Sequence, residues 1–596
     1  MRVSRFLLLV CACPVIFFSF LTFAAAQTVT PSERGSFDGP AELPRVFVKS
    51  SLADTPARGH KIAVTDSDGF QAALNRAECG DTIELQAGAT FAGFFRFPAK
   101  KCDDTHWIVV RTSAPDSALP PEGTRLTPCY SGVASLPGRP LHCAAAPTQA
   151  TAKIAFTAKG GSGPISFLDG ANHYRLIGVE ITRDSPGATI YNLVSLDNKA
   201  VADHLIFDRV WMHGVPQDET TRGIMLGGSG YVAVVDSYFS DFHCTAISGA
   251  CTDSQAIAGG NGSLPMGPYK IVNNFLEAAG ESVLFGGGPA TLTPADIEVR
   301  HNYMFKPLSW MPGSADFVGA PNGRPFIVKN LFELKNAQRV LVDGNIMENT
   351  WGGFTQTGFG VLLTPKNQSG GGNNICPQCQ VTDVTMRFCR ISHVGSGFVI
   401  ANGLSDTKGV SLAGERFSVH DVVVDDIIGK PVKGFGAFAQ ISMAAPTLHD
   451  VKLDHLTGFP PEVMFVMGGP TNETRMFHFS FTNSIVGAGA ENQIVGTGGG
   501  PQNCSFQYKV KGPEGVLKDC FADFMVAHNI IIDGSGWPKG NTTVKKPEDV
   551  GFTNFNGGKG GDYHLGPKSR FKGGASDNKD PGADIDAINA ATAGVQ

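Results

Sequence analysis

Residues 269–277 read YKIVNNFLE and residues 297–305 read IEVRHNYMF, so one phrase recurs after 28 residues. Each copy combines an alternating strand, a polar bend at Asn274 or Asn302, and a second apolar pair. Recurrence at this scale is the signature of a solenoid, in which each short unit packs on its neighbours. Further copies lie at residues 174–182, 204–212, 231–239, 340–347, 384–391, 419–427, 478–485 and 526–530.

The polar bend is often an asparagine. Asparagine suits a bend because it tolerates the left-handed region and its amide can bond the backbone or side chain of the next turn. We therefore predict an internal ladder of stacked asparagines, with a loop inserted where two bends are further apart. The bends are at Arg209, Ser237, Asn274, Asn302, Asn345, Arg390, Asp426, Asn483 and Asn529.

A second short strand follows several of the bends, as at residues 282–286 and 397–401. Helix-length amphipathic stretches between the strands are absent, which argues against a doubly wound α/β fold. Asn-Gly hairpin turns are rare, which argues against a β-sandwich. We predict an all-β fold, a single-stranded right-handed parallel β-helix solenoid, over residues 62–535.

The two ends of the chain differ from this body. Residues 1–26 read as a signal peptide, because a basic start and an apolar run are followed by Ala24-Ala25-Ala26. A membrane anchor is the alternative, since the apolar run approaches spanning length. Residues 27–61 form a polar, extended leader, and residues 536–596 a closing segment rich in Gly and Lys. These features predict a secreted or periplasmic protein with no membrane contact after cleavage of the signal.

Composition supports one repetitive domain and excludes one class of partner. The chain contains 73 glycines and only 17% charged residues, with no long linker dividing the body. Its net charge of -6 comes without a basic stripe, so we expect no nucleic-acid partner.

Most cysteines fall in close pairs, which in an exported protein indicate disulfides that close local loops. Cys376-Pro-Gln-Cys379 has the spacing of a redox or zinc motif, but no second Cys/His pair follows at zinc spacing. Cys389 is the odd cysteine, expected to be buried in a strand. The predicted pairs are Cys79/Cys102, Cys129/Cys143, Cys244/Cys251 and Cys504/Cys520.

A short amphipathic helix precedes the first strand. Thr65 and Asp68 are spaced as a capping box, and Phe70 and Leu74 fall on one face. With the GDTI strand that starts at Gly80, this helix resembles the N-terminal cap of pectate-lyase-like β-helices. Over residues 62–590 the chain resembles that superfamily, which implies that the helix covers the open end of the solenoid.

Chemistry is expected where a loop is inserted, at residues 303–339. Lys329, Glu333, Lys335 and Arg339 are all odd-numbered, so an extended strand would place them in one outward row. Such a row can bind a carboxylated sugar and remove the proton beside its carboxyl group. The alternative is a solvated ladder of charges with no function.

The segment from Lys335-Asn336 to Gly344-Asn345 is similar to the one that carries the catalytic lysine of alginate-lyase/chondroitinase-B-like lyases. The resemblance implies β-elimination with Lys335 as the base, and Arg339 and Glu333 beside it. The resemblance makes Ca²⁺ a possible cofactor. That family's paired calcium-binding glutamates are not matched here, so we assign no metal ligand.

The remaining expectations concern the ligand, which we predict to be a polysaccharide. Alternatives to a lyase are a non-catalytic glycan-binding protein or surface adhesin, and a glycoside hydrolase that uses Glu281 or Asp253. The predicted substrate-binding residues are Lys306, Trp310, Lys329, Trp351 and Lys366. Either Arg339 or Lys366 could replace the partner arginine of the lyase family.

Overall fold

The computed structural model of the chain describes residues 36–196, 200–245, 253–368, 374–403, 409–445, 448–469 and 474–596. The predicted signal peptide, residues 27–35 of the leader and Cys251 lie outside these ranges. In the described part of the chain, no helix is long and apolar enough to cross a membrane.

Two long sheets run the length of the molecule. In both, strands from successive turns pair in parallel, so the predicted parallel β-helix is confirmed. The 26-stranded sheet contains Lys61–Val64, Thr82–Leu85, Thr90–Ala92, Ile108–Thr112, Ala152–Phe156, Asn172–Ile177, Val179–Arg183, Val201–Asp208, Trp211–His213, Gly228–Val235, Tyr238–Phe242, Tyr269–Val272, Phe275–Ala278, Ala295–Arg300, Tyr303–Phe305, Ala337–Asp343, Ile346–Glu348, Gln380–Arg387, Arg390–Val394, Ala413–Ile427, Leu448–Gly458, Phe477–Thr482, Ile485–Gly487, Phe524–Ala527, Ile530–Ile532 and Thr542–Val544.

The second sheet supplies the other wall of the solenoid. Its 12 strands are Phe95–Phe97, Ile165–Phe167, Ile190–Leu196, Thr220–Met225, Gln255–Gly259, Glu281–Phe285, Phe332–Leu334, Phe359–Leu363, Ser396–Asn402, Ala437–Met443, Val463–Gly468 and Asn492–Gly496. Three antiparallel strand pairs and three α-helices of the described chain lie outside these two sheets. They are the pairs Phe37–Asp38/Ala41–Glu42, Gly352–Gly353/Gln356–Thr357 and Phe552–Asn554/Asp562–Leu565, and the helices Ser67–Arg76, Tyr508–Cys520 and Ile585–Ala591.

The core fills the space between the walls with stacked apolar side chains. In the 12-stranded sheet, Val283 pairs with Phe332 and Phe332 with Val361, and all three are fully buried. Burying a side chain of this size stabilises the fold by about 1.5–3 kcal/mol. Since each turn repeats this burial, the stack is continuous.

The asparagine ladder is present at Asn274, Asn302 and Asn345. The backbone N–H and the amide of Asn274 donate to Oδ1 of Asn302 at 2.9 and 3.0 Å, and Asn302 donates likewise to Asn345. The left-handed residue is the one before each asparagine: Asn273 and His301 have φ of 58° and 56°. These three asparagines therefore form the ladder through their amides and are not themselves left-handed. The predicted left-handed conformation does occur at the bends Arg209, Asp426 and Asn483, with φ of 50°, 46° and 54°.

The N-terminal helix, Ser67–Arg76, begins after Asp66, whose side chain accepts from the N–H of Gly69 at 2.7 Å. The cap is thus Asp66, in place of the predicted Thr65. Phe70 is fully buried, and its ring lies 4.5 Å from Phe95 in the first turns. The helix therefore packs its apolar face on the first turns of the solenoid.

The described part of the leader runs along the outside of the 26-stranded sheet. Asp38 accepts a hydrogen bond from Arg387 and pairs with His420, whereas the carbonyls of Ser50 and Ser51 accept from the buried Arg175. The leader thus crosses many turns.

The C-terminal segment also returns along the solenoid instead of ending on its last turn. The N–H of Asp584 donates to Asp421, and His301 bonds the carbonyl of Ala593. Val595 is fully buried in an apolar cluster on earlier turns.

The described disulfides join Cys79–Cys102, Cys129–Cys143, Cys376–Cys379 and Cys504–Cys520. Cys376 and Cys379 bond each other, so the zinc alternative for this motif does not hold here. Cys244 is also disulfide-bonded. Cys389 is free and buried, as predicted.

Candidate functional site

A cleft of about 500 Å³ opens on the outer face of the 12-stranded sheet. It lies over consecutive turns, because the strands Gln255–Gly259, Glu281–Phe285, Phe332–Leu334 and Phe359–Leu363 are neighbours in the sheet. Most of its lining is polar. The charged side chains of the lining are Arg222, Asp253, Lys329, Glu333, Lys335 and Lys366.

Strand register brings these groups together from distant parts of the sequence. Arg222 pairs with Gln255, and Gln255 pairs with Glu281, so the three form a column across parallel strands about 4.8 Å apart. Lys335 follows the next strand, and the backbone N–H of Lys366 donates to its carbonyl at 3.1 Å. The two lysines therefore occupy successive turns.

Two lysines are paired with the carboxyl groups of the cleft. Lys329 Nζ lies 2.9 Å from Asp253 Oδ2 and 3.7 Å from Glu281 Oε1. Lys335 Nζ lies 3.3 Å from Glu333 Oε1, and the side chains of both are only 7% exposed. Such buried charges are tolerated because each has an opposite charge beside it.

Glu281 is fully buried beneath the cleft, where its surroundings keep it protonated. Its burial, followed by repulsion from Asp253, raises its pKa to about 8. Its Oε2 accepts from Gln255 Nε2 at 2.8 Å, and Gln255 Oε1 in turn accepts from Arg222 Nε at 2.6 Å. A neutral carboxylic acid thus lies beside ionised groups.

The other carboxyl groups are held ionised. Burial raises the pKa of Asp253, but Lys329 and Lys335 outweigh burial and bring it to about 2. In the same way Lys335 and Lys329 leave the pKa of Glu333 below its usual value. Burial lowers the pKa of Lys335, but the attraction of the ionised Glu333 is the largest opposing effect and the pKa stays raised, so Lys335 is an ammonium in the free protein.

Arg222 and Lys366 differ from the two paired lysines. Within the described residues, neither forms an ion pair with a carboxylate. Among the described residues, four cationic side chains of the lining therefore face two ionised carboxylates, Asp253 and Glu333, with the protonated Glu281 buried beside them. This surplus of positive charge fits an anionic ligand.

The cleft continues into a second groove of about 490 Å³ along the same sheet face, and the two share Glu333, Gln356, Leu362 and Lys366. A hairpin, Gly352–Gly353 paired with Gln356–Thr357, borders the cleft. Its tip carries Phe354, which is 41% exposed. The far part of the groove is uncharged and mixes apolar with polar side chains, the polar ones being Asn402, Gln440, Ser442, Thr497 and Asn503.

The structure brings six of the predicted residues together, namely Lys329, Glu333, Lys335, Lys366, Asp253 and Glu281. It does not bring Arg339 to them. The chain turns at Asn336, and Arg339 lies in Ala337–Asp343 of the other sheet, where its Nε donates to Asp296 at 2.7 Å. The single outward row that odd numbering implied is therefore broken by the turn.

Three predicted substrate-binding residues are buried instead of lining the cleft. Lys306 is fully buried and donates to the carbonyls of Ala278, Gly280 and Asn330 at 2.7–2.9 Å, so its ammonium holds the backbone beneath the site. Trp310 and Trp351 are 2% and 4% exposed and pack in an apolar cluster. Neither indole offers a free face for stacking on a sugar in the cleft.

Sequence reasoning missed Arg222, Gln255 and Phe354. Arg222 and Gln255 each stand one turn before a site residue, but the loops between turns differ in length and hide this register. The GGFTQTG stretch that begins at Gly352 is the signal that could have identified the hairpin and its aromatic tip.

A calcium ion fits this cluster poorly. Calcium takes six to eight oxygen ligands, whereas the ammonium of Lys329 already lies between Asp253 and Glu281, where a cation would be bound. Lys335 likewise forms an ion pair with Glu333, so lysines already neutralise the ionised carboxylates of Asp253 and Glu333.

Comparison with known proteins finds no matching family profile and no matching curated sequence. Solved structures with a similar fold include an alginate lyase from Paenibacillus sp. str. FPU-7, at 13% identity and TM-score 0.26, covering 65% of this chain and 95% of that one. A PL6 family polysaccharide lyase from Pseudopedobacter saltans aligns at 12% identity and TM-score 0.34, and the alignment covers 81% of this chain and 96% of that one. The pectate lyase Pel9A aligns at 11% identity and TM-score 0.34, and the alignment covers 88% of this chain and 94% of that one.

Proposed function

We propose that this chain is an exported polysaccharide lyase that cleaves an acidic glycan by β-elimination beside a uronate residue. The observation that carries the proposal is the surplus of positive charge around Lys335, with Arg222 and Lys366 unpaired by carboxylates among the described residues. A uronate carboxylate would complete this arrangement.

In the proposed reaction, Lys366 and Arg222 pair with the carboxylate of the uronate. Neutralising this charge acidifies the proton on the adjacent carbon, C5. Lys335, in its neutral form, removes that proton, the C4–O bond breaks, and a C4=C5 double bond forms. The proton on Lys335 then passes to the departing oxygen, which balances the reaction.

The groove suggests how the polymer lies. The lyase site is at the charged end, and the neutral amide and hydroxyl groups further along can hydrogen-bond sugar hydroxyls. Phe354, at the hairpin tip, can pack on a sugar face.

The test is the ultraviolet absorbance of unsaturated uronates during incubation of the mature protein with alginate, pectate or glycosaminoglycans. We expect a rise on one of these substrates, its loss in Lys335→Ala, and its retention in Arg339→Gln, which alters a charge outside the cleft. We also expect a chelator to leave the rate unchanged, because lysines neutralise the carboxylates. An active Lys335→Ala variant would contradict the assignment of the base.

A second candidate is a glycoside hydrolase, favoured by the protonated Glu281 beside the ionised Glu333. Hydrolases use one protonated and one ionised carboxyl group in this way. This function predicts new reducing ends without unsaturated products. A non-catalytic glycan-binding protein would bind the same polymers and release neither product.

A further inference from the structure

Two histidines stack on the outside of the 26-stranded sheet. His173 and His204 occupy equivalent positions in successive turns, because the residues on either side of them are paired in register. Their rings are 4.3 Å apart with only 5° between the planes. Asp104 Oδ1 lies 3.2 Å from Nε2 of His173 and 3.8 Å from Nε2 of His204.

Hydrogen bonds to Asn172 determine which nitrogen of His173 carries the proton. The amide group of Asn172 donates to the carbonyls of Lys100 and Gly170, both at 2.8 Å. Its oxygen therefore faces Nδ1 of His173, at 2.8 Å. Since this oxygen can only accept, Nδ1 must be the protonated nitrogen.

The same logic holds for His204, whose Nδ1 lies 2.6 Å from Oδ1 of Asp203. In the neutral tautomers, both Nε2 atoms are then acceptors, and both face the carboxylate of Asp104, which also only accepts. These three acceptor atoms lie within 4.8 Å of one another, and the described part of the chain supplies no cation that bonds all three.

We infer that Asp104, His173 and His204 bind a divalent transition-metal ion such as Zn²⁺, Ni²⁺ or Cu²⁺. Imidazole nitrogen with carboxylate oxygen suits these ions, and Ca²⁺ and Mg²⁺ prefer oxygen ligands alone. The bonds from Nδ1 to Asn172 and Asp203 orient the rings, as the outer partners of histidine ligands do in metal sites.

The dimensions are close to what such an ion needs. Zn–N and Zn–O bonds of about 2.0–2.2 Å in a tetrahedral site place ligand atoms about 3.4 Å apart. The observed 3.2 and 3.8 Å lie on either side of this value. Because the ring planes are only 5° apart, their lone pairs run parallel, so His204 must rotate out of the stack to bind the same ion as His173. Asp104 is two residues from the disulfide-bonded Cys102, and its 82% exposed side chain leaves the remaining positions to water. The ion would fasten this loop to two turns of the solenoid.

The test is calorimetric titration of the tag-free, chelator-treated mature protein with Zn²⁺ and, separately, Ca²⁺. We expect one equivalent of Zn²⁺ to bind and Ca²⁺ not to bind there. Because outer partners alone are worth about 10–100-fold in affinity, removing a ligand in Asp104→Asn or His204→Gln should weaken binding at least tenfold. His106→Gln, in the same loop but outside the cluster, is the matched control and should bind as the wild type does.

Tryptophan fluorescence gives a second readout that is independent of the calorimetric titration. The ring of Trp107 lies 4.9 Å from that of His173, so Cu²⁺ in the site should quench part of the tryptophan fluorescence in the wild type and in His106→Gln, but not in Asp104→Asn. If Zn²⁺ does not bind at neutral pH, the partner of the three acceptors is a proton and the proposal is overturned. Equal binding by wild type, Asp104→Asn and His204→Gln would also overturn it.

Discussion

Replacing Glu333 by glutamine removes the charge that holds a proton on Lys335. The two groups are 3.3 Å apart, and both side chains are 7% exposed. At an effective dielectric constant of about 20, two charges at this distance attract by about 5 kcal/mol, which equals roughly 3–4 pKa units. Measured effects of a neighbouring opposite charge are about 1–3 units, so we expect the pKa of Lys335 to fall by that amount in Glu333→Gln.

The direction follows from the groups that remain. Burial lowers the pKa of Lys335, and in the variant Asp253 is the ionised carboxyl group that still opposes it under acidic conditions, because Glu281 is then protonated. If Lys335 is the base of the proposed lyase, the fraction of neutral amine sets the acidic limb of kcat/KM. This limb should move to lower pH by about 1–3 units, so that the variant outperforms the wild type under acidic conditions.

The measurement is the pH dependence of kcat/KM for Glu333→Gln, with the exposed Glu491→Gln as the matched control. Glutamine keeps the shape of the side chain and an oxygen that can accept from Asn330. An acidic limb that stays in place, or that moves to higher pH, would refute the role of Lys335 as the base.

Further predictions concern the stability of the fold, with one substitution, at Lys366, expected to affect substrate binding alone. Lys306→Met should lower the free energy of unfolding by at least about 1–3 kcal/mol in denaturant titrations, because it leaves buried backbone carbonyls without their hydrogen-bond donor, whereas Lys366→Ala should raise KM and leave stability unchanged. Asn302→Ala breaks the ladder and should cost about 2–4 kcal/mol in the same assay, since buried hydrogen-bond partners are left unsatisfied; an unchanged midpoint would show that the ladder is dispensable. Burial lowers the pKa of His420, but its acidic partners, Asp38 first, raise it to about 9. The stability that this raised pKa contributes is complete below about pH 6.5 and is lost as the pH rises through about 9, so limited proteolysis near Asp38 should accelerate over that range in the wild type but not in His420→Gln.

The repeat could be predicted from the sequence because stacked turns need similar side chains at equivalent positions. Asn274 and Asn302 occupy equivalent positions, and each must satisfy the backbone of its neighbour. Which residue takes the left-handed conformation was only partly readable, because the residue before the bend takes it at Asn273 and His301, whereas the predicted bend residue itself takes it at Asn483.

The charged cluster was only partly readable. Lys329, Glu333 and Lys335 are local neighbours, so a short extended segment was enough to place them together. Arg339 was misplaced because numbering parity holds only within one strand, and the chain changes sheets at Asn336.

Sequence by itself therefore determined the parallel β-helix, most of the local disulfides and the segment that carries Lys335. Only the tertiary structure decided that Arg222 and Gln255 join this segment and that Lys306 lies beneath it. The physical reason is that register between turns depends on loops of variable length. A residue's neighbours across the sheet are set by how the turns stack, which no local pattern contains.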